Sequence, residues 1–407
     1  MNIESIFSRT ILNSAGAKTI ETKVILLSGG YGVSSIPGGI SKGKNEVTSI
    51  DANEAVKRVG EVSEKLTSRE FNSQKEFDEY LIELDGTSDK SNLGGNTILS
   101  LSIAFCKACA MDQSLETYEY IHNIHNPEVS LSEAKFFMPR MMILILEGGL
   151  HGSGGATIQE FMAIVDTIDR GVEIYKSVKD ELHKLGKSTD VGAEGAFSPN
   201  GYDNEQILAL LNGYLHGEKI ALDIAATSFA EAGWPTVDYD VILGGYPIES
   251  IEDPFSEDDW ANWEIFGRER IGNIKNKLMI VTDDLTTTNP KILEKAISRE
   301  VGNAILVKPN QIGTVTETLK VIKMAQASTW KIVVSHRGTD TNDDFIADLA
   351  IGTGAEFVKF GAPARGERVA KYNRLSEIIV VGPDPIQPDT EQSPSPEDSQ
   401  LSSPQEQ

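Results

Sequence analysis

Short apolar runs that end in an ionisable residue recur through the second half of this chain of 407 residues. Each run has the length and composition of a buried β-strand, and helical or turn-rich sequence fills most of the interval to the next one. Successive run ends lie 23 to 31 residues apart, which is the length that one strand, one helix and two loops require. The run ends are Asp223, Glu252, Asp283, Lys308, His336 and Lys359.

This spacing predicts a parallel β/α domain over residues 134–380, with polar side chains gathered at one rim. Six repeats that all place chemistry at the C-terminal end of a strand favour a (β/α) barrel over an open sheet. The remaining strands are expected within 134–215, where the apolar runs Met141–Leu146 and Ile158–Ile164 follow a less regular spacing.

Two further segments flank the predicted barrel. Residues 1–130 combine a strand with helical periodicity and predict an α+β N-terminal domain, with the strand at 22–27 and helices at 52–66, 76–83 and 95–111. Residues 383–407 hold six of the 16 prolines and six acidic residues but no Lys or Arg. Such a composition cannot bury enough apolar surface to fold, so we predict a disordered acidic Ser/Pro tail.

The net charge of −24 argues against nucleic acid or an anionic membrane as the main partner. No run is long enough to span a bilayer, and the N-terminus lacks the pattern of a signal peptide, so a cytoplasmic protein is expected. Cys106 and Cys109 have no second pair of ligands nearby, which favours buried residues on one helix face over a zinc site.

Three of the run ends are carboxylates, and they would repel one another at a barrel mouth unless a cation lay among them. Oxygen-only ligands suit Mg²⁺, so Asp223, Glu252 and Asp283 are candidate metal ligands. The alternative is that each is a helix N-cap or a surface acid. Lys308 and Lys359 are either ion-pair partners or bases, and a nearby metal would favour their neutral form.

Glycine-rich segments supply the weaker candidates. Glu160, Glu194 and His151 lie in or beside such segments, where a ligand-facing position and an exposed flexible loop are both open. Residues 38–44 match the spacing of a phosphate-binding loop, but Asn45 replaces the required hydroxyl and no helix follows. A mobile loop that offers Ser41 to a ligand is the preferred interpretation.

Several long segments together resemble the enolase family (phosphopyruvate hydratases). They include SHRGTDTNDDFIADLAIGTGAEFVKFGAPARGERVAKYN, SIEDPFSEDDW, TDDLTTTNP, ILVKPNQIGTVTETL, LDGTSDKSNLGGNTILSLSIAFCKA and GGLHGSGGATIQEFM, in the family's order between residue 3 and about 380. The resemblance implies an N-terminal α+β cap on an eight-fold TIM-like barrel with atypical first turns. It also implies reversible dehydration of 2-phosphoglycerate to phosphoenolpyruvate, a small phosphorylated hydroxy acid as substrate, two Mg²⁺ ions, and a homodimer or higher homo-oligomer.

The resemblance assigns roles residue by residue. Asp223, Glu252 and Asp283 match the ligands of one Mg²⁺, and Ser41 matches the ligand of the second. Lys308 matches the base that takes the C2 proton, and Glu194 matches the acid that protonates the C3 hydroxyl, with the catalytic Glu160 beside it. The substrate-contacting positions are His151, Gln159, His336, Arg337, Gly338 and Lys359, of which His336 also counts as catalytic.

Some positions depart from the family pattern. Ala193 replaces an Asp, Gly338 replaces a Ser beside the expected phosphate, and the N-terminal segment at 13–18 differs where family members form dimers. These departures leave two alternatives open, namely a catalytically weak enolase-like binding protein and another carboxylate-enolising enzyme of the same superfamily. Some enolases also have a secondary surface or secreted location, which stays open here.

Overall fold

The structure is a computed structural model that describes residues 1–39, 43–152, 155–233, 237–271 and 278–381. The predicted ligand Ser41 and the predicted tail at 383–407 therefore lie outside the described residues. Within the described ranges, no single helix is long and apolar enough to cross a membrane, and the one helix pair of sufficient combined length is bent by 102°.

The N-terminal part of the chain is an antiparallel sheet covered by helices. The sheet has the order β1-β2-β3. Its strands are β1 (Ile3–Leu12), β2 (Lys18–Leu26) and β3 (Tyr31–Ser35). The helices that follow are α1 (Ala52–Thr67), α2 (Gln74–Asp85), α3 (Gly95–Asp112) and α4 (Thr117–His125). The predicted strand and three helices are thus present, whereas β1, β3 and α4 were not predicted.

Local sequence explains where these helices begin. Asp51 accepts the backbone N–H groups of Asn53 and Glu54, and Ser73 accepts that of Glu76, so α1 and α2 each start at an N-cap side chain. The buried residues of α1 lie three or four positions apart, so they form one apolar face of the helix. Helix α3 is buried almost throughout and packs against β2 and β3, which makes it the centre of this part of the core.

The remainder of the chain forms a closed barrel of eight strands in the spatial order β10-β11-β4-β5-β6-β7-β8-β9. The strands are β4 (Arg140–Glu147), β5 (Glu160–Val165), β6 (Lys219–Asp223), β7 (Ile248–Glu252), β8 (Met279–Thr282), β9 (Ala304–Val307), β10 (Lys331–Ser335) and β11 (Phe357–Lys359). The predicted fold class, a TIM-like barrel preceded by an α+β cap, is confirmed.

Ten helices accompany the described strands of the barrel. They are α5 (Ile168–Lys184), α6 (Asn204–Asn212), α7 (Ala226–Ala232), α8 (Tyr239–Gly245), α9 (Trp260–Ile271), α10 (Pro290–Ser298), α11 (Pro309–Ile312), α12 (Val315–Ala327), α13 (Phe345–Thr353) and α14 (Gly366–Val381). A short 3₁₀ turn, Gly149–His151, follows β4. Cap and barrel share one hydrophobic core, in which α3 contacts α11 and α4 contacts α13.

The first turns of the barrel break the β/α pattern. Strand β5 follows β4 without an intervening long helix and pairs antiparallel with both β4 and β6, whereas the pairs from β6 to β11 and back to β4 are parallel. Because β5 runs in the opposite direction, its first residue, and not its last, lies at the rim where the other strands end.

Alternation along the strands positions the rim side chains. Ala221, Val281, Leu306 and Phe357 belong to the apolar cluster inside the barrel, and their strand neighbours pack outward against the helices. Because side chains alternate between the two faces of a strand, the residue two positions after an interior residue also faces the barrel axis. The residues at those places are Asp223, Asp283, Lys308 and Lys359. The interior apolar layers therefore end in a layer of ionisable groups.

Candidate active site

The amino group of Lys359 joins three strands at the rim. Its Nζ lies 2.9 Å from Oδ2 of Asp223 and 2.8 Å from Oε2 of Glu252. A third carboxylate, Glu160, brings Oε2 to 3.2 Å. All four side chains are buried, and the register makes the acids neighbours because Asp223 pairs with Glu160 on one side and with Glu252 on the other. One lysine is thus the common cation of three buried carboxylates.

A second lysine occupies the adjacent part of the rim. Lys308 donates from Nζ to Oδ2 of Asp283, whose other oxygen accepts a hydrogen bond of 3.0 Å from Nε2 of Gln311. The hydroxyl of Thr288 donates to Oε1 of Gln311 at 2.6 Å and accepts the backbone N–H of Lys308 at 3.0 Å. Lys308 is therefore held at both its backbone and its amino group.

Asp253 and Asp284 enlarge the acidic cluster. Acceptor atoms of Asp253, Asp283 and Asp284 lie within 4.8 Å of one another. Asp253 has a φ of 43°, and its two oxygens accept the backbone N–H groups of Asp283 at 3.0 Å and of Asp284 at 2.8 Å. Non-glycine residues keep such a φ only where their surroundings stabilise it. Asp253 and Asp284 were not predicted, although each directly follows a predicted ligand.

Burial and neighbouring charges together set the ionisation of these groups. It raises the pKa of Glu252 well above its usual value, and the neighbouring Asp223 adds to the effect. Burial acts to lower the pKa of Lys359, but its carboxylate neighbours, Asp223 first, outweigh it and raise the pKa. Burial likewise opposes the charge of Lys308, and the Asp283 carboxylate raises its pKa. The carboxylates therefore hold both lysines as cations.

His336 lies between the Glu194 carboxylate and the last helix. Its Nε2 is 3.2 Å from Oε2 of Glu194, and its Nδ1 is 2.6 Å from Nη1 of Arg368. A guanidinium can only donate, so Nδ1 is the acceptor and the proton resides on Nε2. Burial lowers the pKa of His336 to about 4, with Glu194 opposing and Arg368 assisting. Neutral His336 thus presents its N–H side to Glu194.

Glu194 is carried by a tight turn at the rim. Gly195 adopts a φ of 90°, which favours glycine, and its carbonyl accepts a hydrogen bond of 2.7 Å from the hydroxyl of Tyr175. The carbonyl of Glu194 accepts the N–H of Ala362 at 3.1 Å. Burial acts to raise the pKa of Glu194, but His336 and His151 outweigh it and lower the pKa. An ionised, fixed carboxylate results.

Arg337 directs its guanidinium toward the cap. Its Nη1 and Nη2 donate to the two oxygens of Glu46 at 3.0 and 3.1 Å, and Nη1 also donates to Oδ1 of Asn310 at 3.2 Å. Such a planar donor fork fits carboxylate and phosphate groups alike. The carbonyl of Gly338 accepts a hydrogen bond from Arg368. Glu46, Asn310 and Arg368 were not predicted, because nothing in the periodicity brings them to the rim.

These groups surround one polar cavity at the mouth of the barrel. Most of the predicted site residues line it, namely His151, Gln159, Glu160, Glu194, Asp223, Asp283, Lys308, His336, Arg337, Gly338 and Lys359. Glu252 joins them through its contact with Lys359, and Ser41 is outside the described residues. Sequence-predicted positions that lie up to 208 residues apart, from His151 to Lys359, thus converge on one site.

The acidic part of the rim fits a hard divalent cation. Its donors are carboxylate oxygens, and Oε1 of the buried Glu252 has no hydrogen-bond partner in the described parts of the chain. Unpaired buried carboxylate oxygens are costly, and a cation with oxygen ligands would satisfy them. Within the described parts of the chain, the ammonium groups of Lys308 and Lys359 lie among these acids.

A carboxyl group, a lysine and a cluster of acids that could hold a cation meet at the rim of this barrel, and these features define the class of protein as a barrel enzyme. The comparisons with known proteins specify it further. The family model "Enolase, N-terminal domain" matches residues 3–121, and "Enolase, C-terminal TIM barrel domain" matches 135–242 and 236–380. The chain belongs to the enolase family, and it is a lyase of the phosphopyruvate hydratase type.

Two relatives illustrate the similarity. An enolase of Elusimicrobium minutum (strain Pei191) is 37% identical over 410 residues, which cover 92% of this chain and 95% of the relative. An enolase of Mycobacterium leprae (strain TN) is 38% identical over 417 residues, which cover 92% of this chain and 94% of the relative. The predicted family is confirmed.

Proposed function

We propose that this enzyme interconverts 2-phosphoglycerate and phosphoenolpyruvate plus water, as in glycolysis and gluconeogenesis. The observation that carries the proposal is the placing of a lysine and a carboxyl group around one polar cavity. Lys308 lies on one part of the rim and Glu194 on another, and both line the cavity. A dehydration needs this pair, because one group must remove a proton from carbon while another gives a proton to the leaving hydroxide.

Lys308 is the base in this proposal. Asp283 and the contacts of Thr288 fix its amino group and its backbone, so that little reorganisation is needed when substrate binds. The base must be neutral to accept the C2 proton. A change in the charge around Asp283 is therefore required, because the pKa of Lys308 is held above its usual value, burial opposing and Asp283 raising it.

Glu194 is the acid, and its neighbours orient it. His336 presents Nε2–H to the carboxylate at 3.2 Å, in a tautomer that Arg368 selects. Glu160 lies beside Glu194, because ligand atoms of these two residues and of His151 lie within 4.8 Å of one another. Oε2 of Glu160 accepts no hydrogen bond within the described residues. A substrate hydroxyl in that space would be within reach of a protonated Glu194.

Asp223, Glu252 and Asp283 are the proposed ligands of one Mg²⁺, and Ser41 is the proposed ligand of a second. Bound Mg²⁺ would neutralise the carboxylates, favour the neutral form of Lys308 and stabilise negative charge that develops on the substrate carboxylate. The lysine-paired carboxylates and the orphaned oxygen of Glu252 support this assignment.

The remaining polar groups are proposed to hold the substrate. Arg337 suits the phosphate through its donor fork, with the backbone at Gly338 beside it. Lys359, His151 and Gln159 line the same cavity and suit the carboxylate and hydroxyl groups. We also propose the boundaries 1–130 for the cap, 134–380 for the barrel and 383–407 for the acidic tail, a homo-oligomer, and a location in the cytoplasm.

The direct test is turnover. Purified protein is incubated with 2-phosphoglycerate and Mg²⁺, and formation of the enol phosphate is followed by ultraviolet absorbance. We expect product only in the presence of the divalent cation. A folded, metal-binding protein that forms no product would contradict the proposal and favour the alternative of an enolase-like binding protein. A screen of other 2-hydroxy acids separates the remaining alternative of a different enolising enzyme.

A further inference from the structure

A buried arginine behind the wall of the cavity holds the segment that carries His336 and Arg337. Arg368 lies in the first turn of α14, and its side chain is fully buried. Among the described residues, those that line the cavity include His336 and Arg337 but not Arg368. A buried guanidinium is costly unless its donors are paired, and a cation in the first turn faces the positive end of the helix dipole. This position favours a functional over a stabilising role.

The guanidinium of Arg368 donates to several acceptors of one short segment. Its Nη1 donates to Nδ1 of His336 at 2.6 Å, to the carbonyl of Arg337 and, at 3.4 Å, to Oδ2 of Asp340. Its Nη2 donates to the carbonyl of Gly338. One planar donor group thus fixes the imidazole of His336 together with the backbone of the two residues that are proposed to contact the phosphate.

Close packing holds the imidazole against the guanidinium. A Cβ atom on Gly361 would lie 2.8 Å from Cε1 of His336 and 3.1 Å from Cδ of Arg368. Gly361 also has a φ of 83°, which favours glycine, so a glycine is required here both for conformation and for space. The backbone N–H of His336 donates to the carbonyl of Lys359 at 3.0 Å. Rotation of the imidazole away from Arg368 is therefore restricted.

The donor at Nδ1 decides where a proton on Glu194 can lie. Because Nδ1 accepts from Arg368, His336 carries its hydrogen on Nε2, which is 3.2 Å from Oε2 of Glu194. A proton on that oxygen would oppose the N–H, so a protonated Glu194 holds its proton on Oε1. In the other tautomer, an unprotonated Nε2 would accept the proton of the acid and compete with the substrate hydroxyl. Arg368 thus acts on the acid through His336.

We propose that Arg368 is a positioning residue of the reaction, which acts through His336 on the acid and through two backbone carbonyls on the phosphate site. This inference rests on the proposed function, in which Glu194 is the acid and Arg337 and Gly338 contact the phosphate. Loss of the guanidinium should therefore lower kcat through the tautomer of His336 and raise KM through the released backbone. A residue that only stabilises the fold would leave that tautomer unchanged.

The decisive measurement is the tautomer of His336. The chain has six histidines, and ¹⁵N NMR of labelled imidazole rings distinguishes protonated from unprotonated nitrogens, with His336→Gln identifying the signal. At neutral pH we expect hydrogen on Nε2 alone in the wild type. In Arg368→Met, which keeps an unbranched side chain without donors, a population with hydrogen on Nδ1 should appear. A wild type with hydrogen on Nδ1, or an R368M protein with an unchanged tautomer, would overturn the inference.

Lys371→Met is the matched control. Lys371 is a second buried cation on α14, and it holds the same segment through the carbonyl of Thr341 at 3.1 Å and Oδ2 of Asp340 at 3.2 Å. Among the described residues, its amino group does not donate to His336. K371M should therefore loosen the segment and keep the tautomer. A tautomer that changes as much in K371M as in R368M would contradict the proposal.

Turnover supplies a second readout. We expect kcat/KM for 2-phosphoglycerate to fall about 10- to 100-fold in R368M, because charge-assisted hydrogen bonds to His336 and Gly338 are lost. Arg368→Lys keeps the charge but not the two donor nitrogens of the fork, so its loss should be smaller. The fall in kcat should be greater in R368M than in K371M, and equal falls would count against a specific role of Arg368.

The outcomes separate this inference from the proposed function. An active wild type whose His336 tautomer is unchanged in R368M rejects only the positioning role, whereas a folded wild type without turnover rejects the proposed function. If R368M does not fold, the wild type and R368K decide. Hydrogen on Nε2 in the wild type together with a lower kcat/KM in R368K would support the proposal, and hydrogen on Nδ1 or unchanged kinetics in R368K would overturn it.

Discussion

The two parts of the barrel rim stabilise their buried carboxylates by different means. From β6 to β11 the strands are parallel, and ammonium groups lie among the acids, with Lys359 serving Asp223 and Glu252 and Lys308 serving Asp283. At β4 and β5 the strands are antiparallel. Glu160 of β5 still contacts Lys359, but Glu147 and Glu194 have no lysine partner within the described residues. The carboxylates of the first part can be neutralised either by ammonium groups or by a metal ion, whereas those of the second part can keep or release a proton.

This difference explains how one cavity can serve two demands of a dehydration. A base and a metal need fixed negative charge nearby, whereas an acid needs a site in which a proton is retained at neutral pH. The change from parallel to antiparallel pairing at β5 separates the two environments within one ring of strands. Substitutions on the two parts of the rim test that separation.

Replacing the lysine of the parallel part should have the largest effect. For Lys308→Ala we expect a loss of about 10²–10⁴-fold in kcat, because the group that accepts the C2 proton is removed. Steady-state turnover of 2-phosphoglycerate measures it. Lys331→Ala is the control, since Lys331 lies at the opposite end of β10, is 52% exposed and pairs only with Glu356 among the described residues. Near-normal turnover in K308A would exclude Lys308 as the base.

Metal binding should be specific to the same part of the rim. With Mg²⁺ at about 100 times its Kd, the free energy of unfolding of the wild type should rise by about 2.7 kcal/mol. Glu252→Gln should lose most of this increase, because it removes one proposed ligand. Glu249→Gln, at the other end of the same strand, should keep it. Denaturant unfolding with and without Mg²⁺ measures the shift, and an equal shift in E252Q and wild type would reject Glu252 as a ligand.

The comparison also explains what the sequence could and could not predict. On the parallel strands, the residue that ends an apolar run is also the residue at the rim, so Asp223, Glu252 and Lys359 were found from periodicity alone. Strand β5 reverses that rule, and Glu160 is its first residue. Glu194 lies in a turn without periodicity, and its proposed role came only from the family resemblance.

Tertiary contacts account for the residues that were missed. Arg368 is a helix residue that reaches His336 across 32 positions of the chain, and Glu46 reaches Arg337 across 291. No local pattern marks such partners, because their side chains are placed by packing and not by their own segment. Glu147 was visible as the end of an apolar run, but its inward direction depends on a bulge that alternation does not predict.

The antiparallel part makes stability depend on pH. The folded protein keeps a proton on Glu147, whose pKa burial raises to about 9 from an ordinary value of 4.5, and the unfolded chain releases it. The stability that this group contributes is therefore complete at low pH and declines as pH rises toward 9. Relative to E147Q, the wild type should lose up to about 1.4 kcal/mol per pH unit. Urea unfolding at several pH values measures this, and a constant difference would contradict a buried neutral acid.

The smallest expected effect concerns Gly338, which follows β10 in the parallel part of the rim. Arg368 holds its carbonyl, so a serine there should present its hydroxyl without moving the backbone. One added hydrogen bond to a bound phosphate is worth about 0.5–1.5 kcal/mol, so KM in Gly338→Ser should fall about two- to tenfold with little change in kcat. Gly60→Ser is the control, because a Cβ at Gly60 meets nothing within 4 Å and the residue lies on α1. An unchanged KM in G338S would place the phosphate elsewhere, and Arg337 with its bidentate partner Glu46 would then be a structural link between barrel and cap.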